Sequence, residues 1–196
     1  MRVLVTGAAG FVGSKLVSSL SADRFIRISG RGTDAARIDE IVAHDILKPS
    51  VQESGPRIIS RAGDLSNRAE AEELVGDGVD LVVHLAAVVS GQAEEDFDLG
   101  YRVNLDGTRN LLEACRRLAK PPVFIFASSG AAYGGELPET VPDNLRLTPT
   151  TSYGAQKVIG ELLVTDYSRK GFIDGRALRF PTIVVRPGAP NRALSS

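Results

Sequence analysis

The sequence predicts an α/β chain built on a doubly wound parallel sheet, and three observations lead there. Short apolar runs suited to buried strands alternate with stretches of helical periodicity. The first run, Val3-Leu4-Val5-Thr6, leads straight into Gly7, Gly10 and Gly13, a tight strand-to-helix turn. A later run, Val123 to Ala127, ends in Ser128 and Ser129, and the carboxyl ends of parallel strands are where such sheets bind ligands. With 196 residues the chain is long enough for one α/β domain with a real core.

The elements follow in order. Strand one is Arg2 to Thr6, and a helix runs from about Val12 to Ser21. Strand two has two readings. Phe25 to Ser29, followed by Gly30-Arg31-Gly32, is one; Glu40 to His44, ending at Asp45 after a polar loop, is the other, and we favour it. The choice is chemical: a carboxylate there bonds the adenosine ribose hydroxyls of NAD, whereas an arginine accepts the extra phosphate of NADP. Strand three is Arg57 to Arg61, with Asp64 or Ser66 as N-cap of the helical run Ala69 to Val75. Strand four is Asp80 to Leu85, followed by the small Ala86 and Ala87, which leave room for a ligand. His84 reads as a packed, hydrogen-bonded residue rather than a catalyst. A helix from Asn104 to Leu118 carries Leu111, Leu112, Cys115 and Leu118 on one stripe. Strand five is Val123 to Ala127, a helix spans Ser152 to Ser168, and strand six is Arg176 to Phe180. The polar, proline-containing loop Gly134 to Pro149 lies where a wall or lid belongs.

The glycine spacing is Gly-x-x-Gly-x-x-Gly. One glycine permits the turn, one admits a pyrophosphate, and one lets the helix pack on the sheet, as in a Rossmann-type dinucleotide site. The N–H groups at the helix start face the anion. Tyr153 and Lys157 stand four apart, one helical turn. A phenol with pKa about 10 is a poor base at neutral pH, and a neighbouring ammonium favours its phenolate.

Composition narrows the classes. The net charge is -1 and no basic stripe appears, which disfavours nucleic acid. No apolar run reaches membrane-spanning length. Strand one follows Met1 directly, so the sequence reads as lacking a signal peptide. The single cysteine, Cys115, reads as a packed thiol in a reducing cytoplasm. Two histidines without a cysteine cluster give a metal site no support.

These residues resemble the extended short-chain dehydrogenase/reductase family, the NAD-dependent epimerase/dehydratase group. The match runs through Thr6 to Gly13, Gly63-Asp64-Leu65, His84 to Ala87, Asn104 with Gly107-Thr108, Ser128-Ser129 with Tyr133-Gly134, and Tyr153 with Lys157. Val89-Ser90-Gly91 and Arg179 to Gly188 look closest to its D-erythronate dehydrogenase-like members. The resemblance implies NAD as cofactor, held by Gly7, Gly10, Phe11, Val12, Gly13, Asp45, Asp64, Leu65, Leu85, Ala86, Ala87, Asn104, Tyr153, Lys157, Pro181 and Thr182. It implies Tyr153 as acid/base, Lys157 lowering its pKa and bonding the nicotinamide ribose, and Ser129 orienting the substrate oxygen, with Ser128 in reserve. Asn104 would hold its helix and a water; an ordinary N-cap is the plainer alternative. Ser90, Ser129, Tyr153 and Arg186 would meet a small sugar acid or sugar derivative.

Dehydratases of the family place acid/base carboxylates just after the catalytic hydroxyl, where this chain has Gly130 and Ala131. A dehydrogenase is therefore expected, with a nucleotide-sugar epimerase or an NAD-binding module of little turnover as alternatives. Residues 1–180 would form the cofactor domain and 181–196 the start of a substrate region that family members continue beyond this point. The resemblance further implies a homodimer through the helices 104–118 and 152–168, the second offering Val158, Ile159, Leu162 and Leu163.

Overall fold

The computed structural model describes residues 1–28, 34–51, 55–76 and 78–183. Its centre is β1 (Arg2–Thr6), whose residues Val3 to Thr6 are wholly buried. A strand buried on both faces needs apolar side chains throughout, which is why this segment is a continuous run rather than an alternation. β1 pairs in parallel with β4 (Glu40–Asp45) on one side and β6 (Leu81–His84) on the other. β5 (Arg57–Ala62) lies outside β4, and β7 (Val123–Ser129) and β8 (Asp174–Phe180) lie outside β6. The six-stranded order is therefore β5-β4-β1-β6-β7-β8, doubly wound as expected. Strand order reverses beside β1, so the ligand crevice lies at its carboxyl end.

The second-strand question is decided by burial. Ile41, Val42 and Ala43 are buried in β4, which ends at Asp45. Phe25–Ile26 (β2) pairs only with Ala36–Arg37 (β3), antiparallel, in a separate two-stranded ribbon. Arg31 lies outside the described residues.

Side chains alternate between the two faces of β1. Val3 and Val5 join Ile41, Ala43 and Val83 against Val17 and Leu20 of α1 (Phe11–Asp23). Leu4 joins Val42, Val82, Phe124 and Phe126 against the opposite helices. These are α2 (Arg68–Val75), α5 (Gly107–Arg116) and α6 (Ser152–Arg169).

Three local expectations need correction. The N-cap of α2 is Asn67, whose side chain accepts from Ala69 N at 3.1 Å; Asp64 instead accepts from Ser66 N at 2.9 Å, a turn one step earlier. The helix expected from Asn104 begins upstream, as α4 (Phe97–Gly100) running into a π-helical turn, Tyr101–Asp106. Asn104 thus sits inside a continuous helical path and caps nothing. The leucine stripe of α5 faces the sheet, with Leu111, Leu112 and Cys115 at 0% exposure, so it offers no surface to a second chain. A short helix, α3 (Ser90–Glu95), follows the segment leaving β6. Burial pushes the Cys115 thiol up to about 12, in keeping with a packed rather than reactive group.

His84 is packed and hydrogen-bonded, as anticipated. Its Nδ1 lies 2.7 Å from Thr6 Oγ1 and its Nε2 2.9 Å from Thr108 Oγ1. The Thr108 hydroxyl donates to Asn104 O at 2.6 Å, so it must accept from the imidazole, which assigns the ring proton to Nε2. Burial first, and then the charges of Lys157 and His44, lower the His84 pKa to about 3. The folded value lies below the ordinary 6.5, so the unfolded chain takes up this proton first. Its contribution to stability is full above about pH 6.5 and is lost as pH falls toward 3. His44, also lowered by burial, acts in the same sense. Urea unfolding of His84→Asn should accordingly show a shallower loss of stability between about pH 7 and 5 than the parent; an equal slope would contradict this assignment.

Candidate active site

The glycine turn is built by backbone contact. Gly7 adopts φ 72°, and a Cβ on it would lie 2.7 Å from Ala86 N and Leu85 C. A Cβ on Gly13 would lie 2.1 Å from Gly7 O. Neither site tolerates a side chain, so the carboxyl ends of β1 and β6 close to a distance only glycine allows. Gly10 N donates to Gly7 O at 3.1 Å, and Gly10 then starts α1 without a side-chain cap. The first helical bond is Ser14 N to Gly10 O, so the N–H groups of Phe11, Val12 and Gly13 precede the ladder and face outward. Ala8 N donates to His44 O at 3.0 Å and Ala9 N to Asp45 Oδ2 at 2.9 Å, which ties the turn to the end of β4. Asp45 therefore stands beside the turn, with one carboxylate oxygen holding it.

Past β5, Glu70 accepts from Asp64 N, while the Leu65 side chain is buried against α5. The Leu65 carbonyl accepts from Asn110 Nδ2 at 3.1 Å. Leu85, Ala86, Ala87 and Ser90 are all partly exposed along the segment leaving β6.

Asn104 fixes that segment. Its Oδ1 accepts from Val88 N at 2.8 Å, and its Nδ2 donates to Val88 O at 3.1 Å and to Gln156 Oε1 at 2.7 Å. Asn104 is 3% exposed and its side chain is committed to the protein, a positioning arrangement. Gln156, one residue before Lys157, carried no signal in the sequence.

The N-terminus of α6 is closed by Thr151, which accepts from Gly154 N at 3.0 Å, and by Glu94 of α3, which accepts from Ser152 N. Glu94 was likewise not anticipated. Tyr153 follows in the first turn, half-buried. The Lys157 ammonium lies 5.4 Å from the Tyr153 ring centroid and donates to Ala127 O at 2.9 Å. Burial lowers the Lys157 pKa to about 8, so it remains mostly protonated at neutral pH.

The paired serines separate as strand alternation requires. Ser128, 2% exposed, donates to Glu161. Glu161 also receives Arg179 through Nε at 2.9 Å and Nη2 at 2.8 Å, and Arg179 reaches Tyr133 OH at 2.8 Å. Ser128 is thereby a structural partner of an ion pair. Ser129 is partly exposed; its Oγ accepts from Ala131 N at 3.1 Å and keeps its own hydrogen to donate. Gly130 and Ala131 form a 3-10 turn with Ala132 and place no acid beside it. Phe180 is the register partner of Ser129, so Pro181 and Thr182 leave the sheet next to it. Arg186 lies outside the described residues.

A family model for the NAD dependent epimerase/dehydratase family matches residues 3–194. A D-erythronate dehydrogenase of Cupriavidus necator is 49% identical over 197 residues, spanning 100% of this chain and 59% of that protein. One from Haemophilus influenzae is 44% identical, again with 59% of its length covered. A solved nucleoside-diphosphate-sugar epimerase from Agrobacterium tumefaciens superposes with TM-score 0.88 at 45% identity, covering 97% of this chain and 55% of that one. The chain thus spans little more than half the length of the relatives it matches.

Gly13→Ala should cost about 1–3 kcal/mol of stability, because α1 must retreat from Gly7 O. Gly78→Ala, where a Cβ meets nothing within 4 Å, is the control. Equal denaturation midpoints for the two variants would contradict the backbone contact.

Proposed function

The chain belongs to the NAD-dependent epimerase/dehydratase family, and on that premise we propose that it forms the cofactor and acid/base half of a dehydrogenase acting on a small sugar acid. The observation that supports this is the Lys157 ammonium, 5.4 Å from the Tyr153 ring and bonded to Ala127 O, two residues before Ser129 on β7. The turn fits NAD on its own geometry. Uncapped N–H groups at the start of α1 suit a pyrophosphate, and the glycine contacts hold that helix end close against the carboxyl ends of β1 and β6. The free oxygen of Asp45 suits ribose hydroxyls and disfavours a 2′-phosphate.

When bound, NAD supplies the acceptor for hydride from the carbon bearing the substrate hydroxyl. Tyr153 takes the proton of that hydroxyl, and the Lys157 ammonium makes the phenolate accessible. Ser129 donates to the substrate oxygen and orients it. Asn104 acts through Val88 to hold the wall formed by Leu85, Ala86 and Ala87. Asp64 and Leu65 would bound the adenine end of the cofactor, Lys157 would bond its nicotinamide ribose, and Pro181 and Thr182 would bound its nicotinamide end. Ser90 and Arg186 are assigned to substrate, the arginine because its fork matches a carboxylate. Residues 1–180 serve as the cofactor domain, with 181–196 leading into the substrate region. A cytoplasmic setting is in keeping with Cys115 as a lone buried thiol and with the absence, among the described residues, of a helix long and apolar enough to cross a membrane.

The likeness to a nucleoside-diphosphate-sugar epimerase favours a second reading, in which the same residues oxidise and re-reduce one carbon. A homodimer rests on α6, where Leu162 is 64% exposed beside the partly exposed Val158, Ile159 and Leu163. The α5 stripe no longer contributes.

In a form extended to the relatives' length, Tyr153→Phe should lower turnover of four-carbon sugar acids by roughly 10²–10⁴-fold. NAD affinity should barely change. Full activity in that variant would contradict the mechanism, and release of an epimer without net NADH would favour the second reading. Calorimetric titration of the chain should give tighter binding of NAD than of NADP, and the reverse would remove Asp45 from the ribose. Light scattering at micromolar concentration should report a dimer; a monomer alone would remove the α6 interface.

A further inference from the structure

Lys157 carries its charge where water scarcely reaches, at 3% exposure. An ammonium has three hydrogens to give, yet the Ala127 carbonyl is the sole hydrogen-bond acceptor found for it among the described residues. Beneath it lies the ring of Phe126 on β7, with the Lys157 Nζ 4.9 Å from the ring centroid. That ring is held firmly. Phe126 is 1% exposed, and a Cβ on Gly160 of α6 would fall 2.5 Å from its Cζ. Only a glycine at position 160 lets α6 rest on the ring edge, and the His84 ring stands 5.9 Å away on the neighbouring strand.

We propose that Phe126 is a positioning residue for Lys157: its ring face and the Ala127 carbonyl form a seat that keeps the buried ammonium charged and close to Tyr153. An aliphatic side chain of similar size would bury the lysine equally and return nothing to the charge, whereas an aromatic face attracts a cation through its quadrupole. Burial alone draws the ammonium down to about 8, so a modest gain from the ring decides how much of it is protonated near neutral pH.

A second ring, Tyr153, stands farther off at 5.4 Å, and the remaining groups around Lys157 are neutral or already engaged. Tyr153 and Glu161 flank it on α6, and Glu161 is already engaged by Ser128 and Arg179. His84 of β6 is neutral. From the π-helical turn comes Asn104, and beside it Gln156, both uncharged.

The value of the seat to catalysis rests on the proposed role of Lys157, but the seat itself can be read without turnover. Lysine labelled with carbon-13 reports the Lys157 titration directly, the resonance being identified by its loss in Lys157→Arg. The parent should titrate below the ordinary lysine value of 10.5. Phe126→Leu should move the midpoint down by about one pH unit. Replacing Phe126 with difluorophenylalanine substituted at both meta positions drains the ring face while keeping its shape, and should lower the midpoint part of the way. It decides the matter even if the leucine variant fails to fold. A midpoint that stays or rises in the folded variants would overturn the seat. Retained turnover in Lys157→Met, with the midpoint shifts as expected, would instead overturn the catalytic reading and leave the seat standing.

Discussion

Backbone lies against backbone at the glycine turn, and the rest of the crevice is placed by that contact. Gly7 meets Leu85 and Ala86, which fixes the ends of β1 and β6 relative to each other. Gly13 meets Gly7 O, which fixes the start of α1 over the same point. Ala8 and Ala9 donate to His44 O and Asp45, which brings in the end of β4. Apart from the Asp45 carboxylate these are backbone contacts, so three strand ends and a helix N-terminus are set largely without help from side-chain rotamers. The electrostatic result is a positive helix end and a carboxylate beside one turn.

The catalytic side is set by buried polar bonding instead. Ala86 N donates to Thr6 Oγ1 at 3.3 Å, and the chain continues through His84 and Thr108 to Asn104 O. Asn104 then holds Val88 and Gln156, the neighbour of Lys157. One connected network therefore joins the glycine turn to the helix of Tyr153. Buried polar groups of this kind are costly when unpaired, at about 1–3 kcal/mol each, so the network also specifies the fold around it. Exceptions among the described residues are the ring nitrogens of His44 and the Gln156 Nε2, which are buried without a partner.

What could be read in the sequence was whatever depends on local chemistry. Glycine spacing, a serine pair at a strand end, and a tyrosine and lysine one turn apart are local, and each stands where the chain order put it. Asp45 stood in one of two readings of the second strand, and the burial of Ile41 to Ala43 decides for it. Contacts between distant segments were not legible. The bond from Asn104 to Gln156 joins residues 52 apart, and the Glu161–Arg179 pair joins two elements. Nothing in either segment announces its partner. The stripe of Leu111, Leu112 and Cys115 was visible as an apolar face, but periodicity says only that a face is covered, not by what; the sheet covers it. The π-helical turn is invisible for a related reason, since it differs from an α-helix in winding rather than in which residues favour it.

A crystal structure of this chain with NAD tests the central claim most directly, because one experiment reads both ends of the crevice. The account requires the pyrophosphate on the N–H groups of Phe11, Val12 and Gly13, the adenosine ribose on Asp45, and the nicotinamide ribose on Lys157, all in one bound molecule. A dinucleotide whose pyrophosphate lies away from the glycine turn, or whose nicotinamide end does not reach Lys157 and Tyr153, would contradict it.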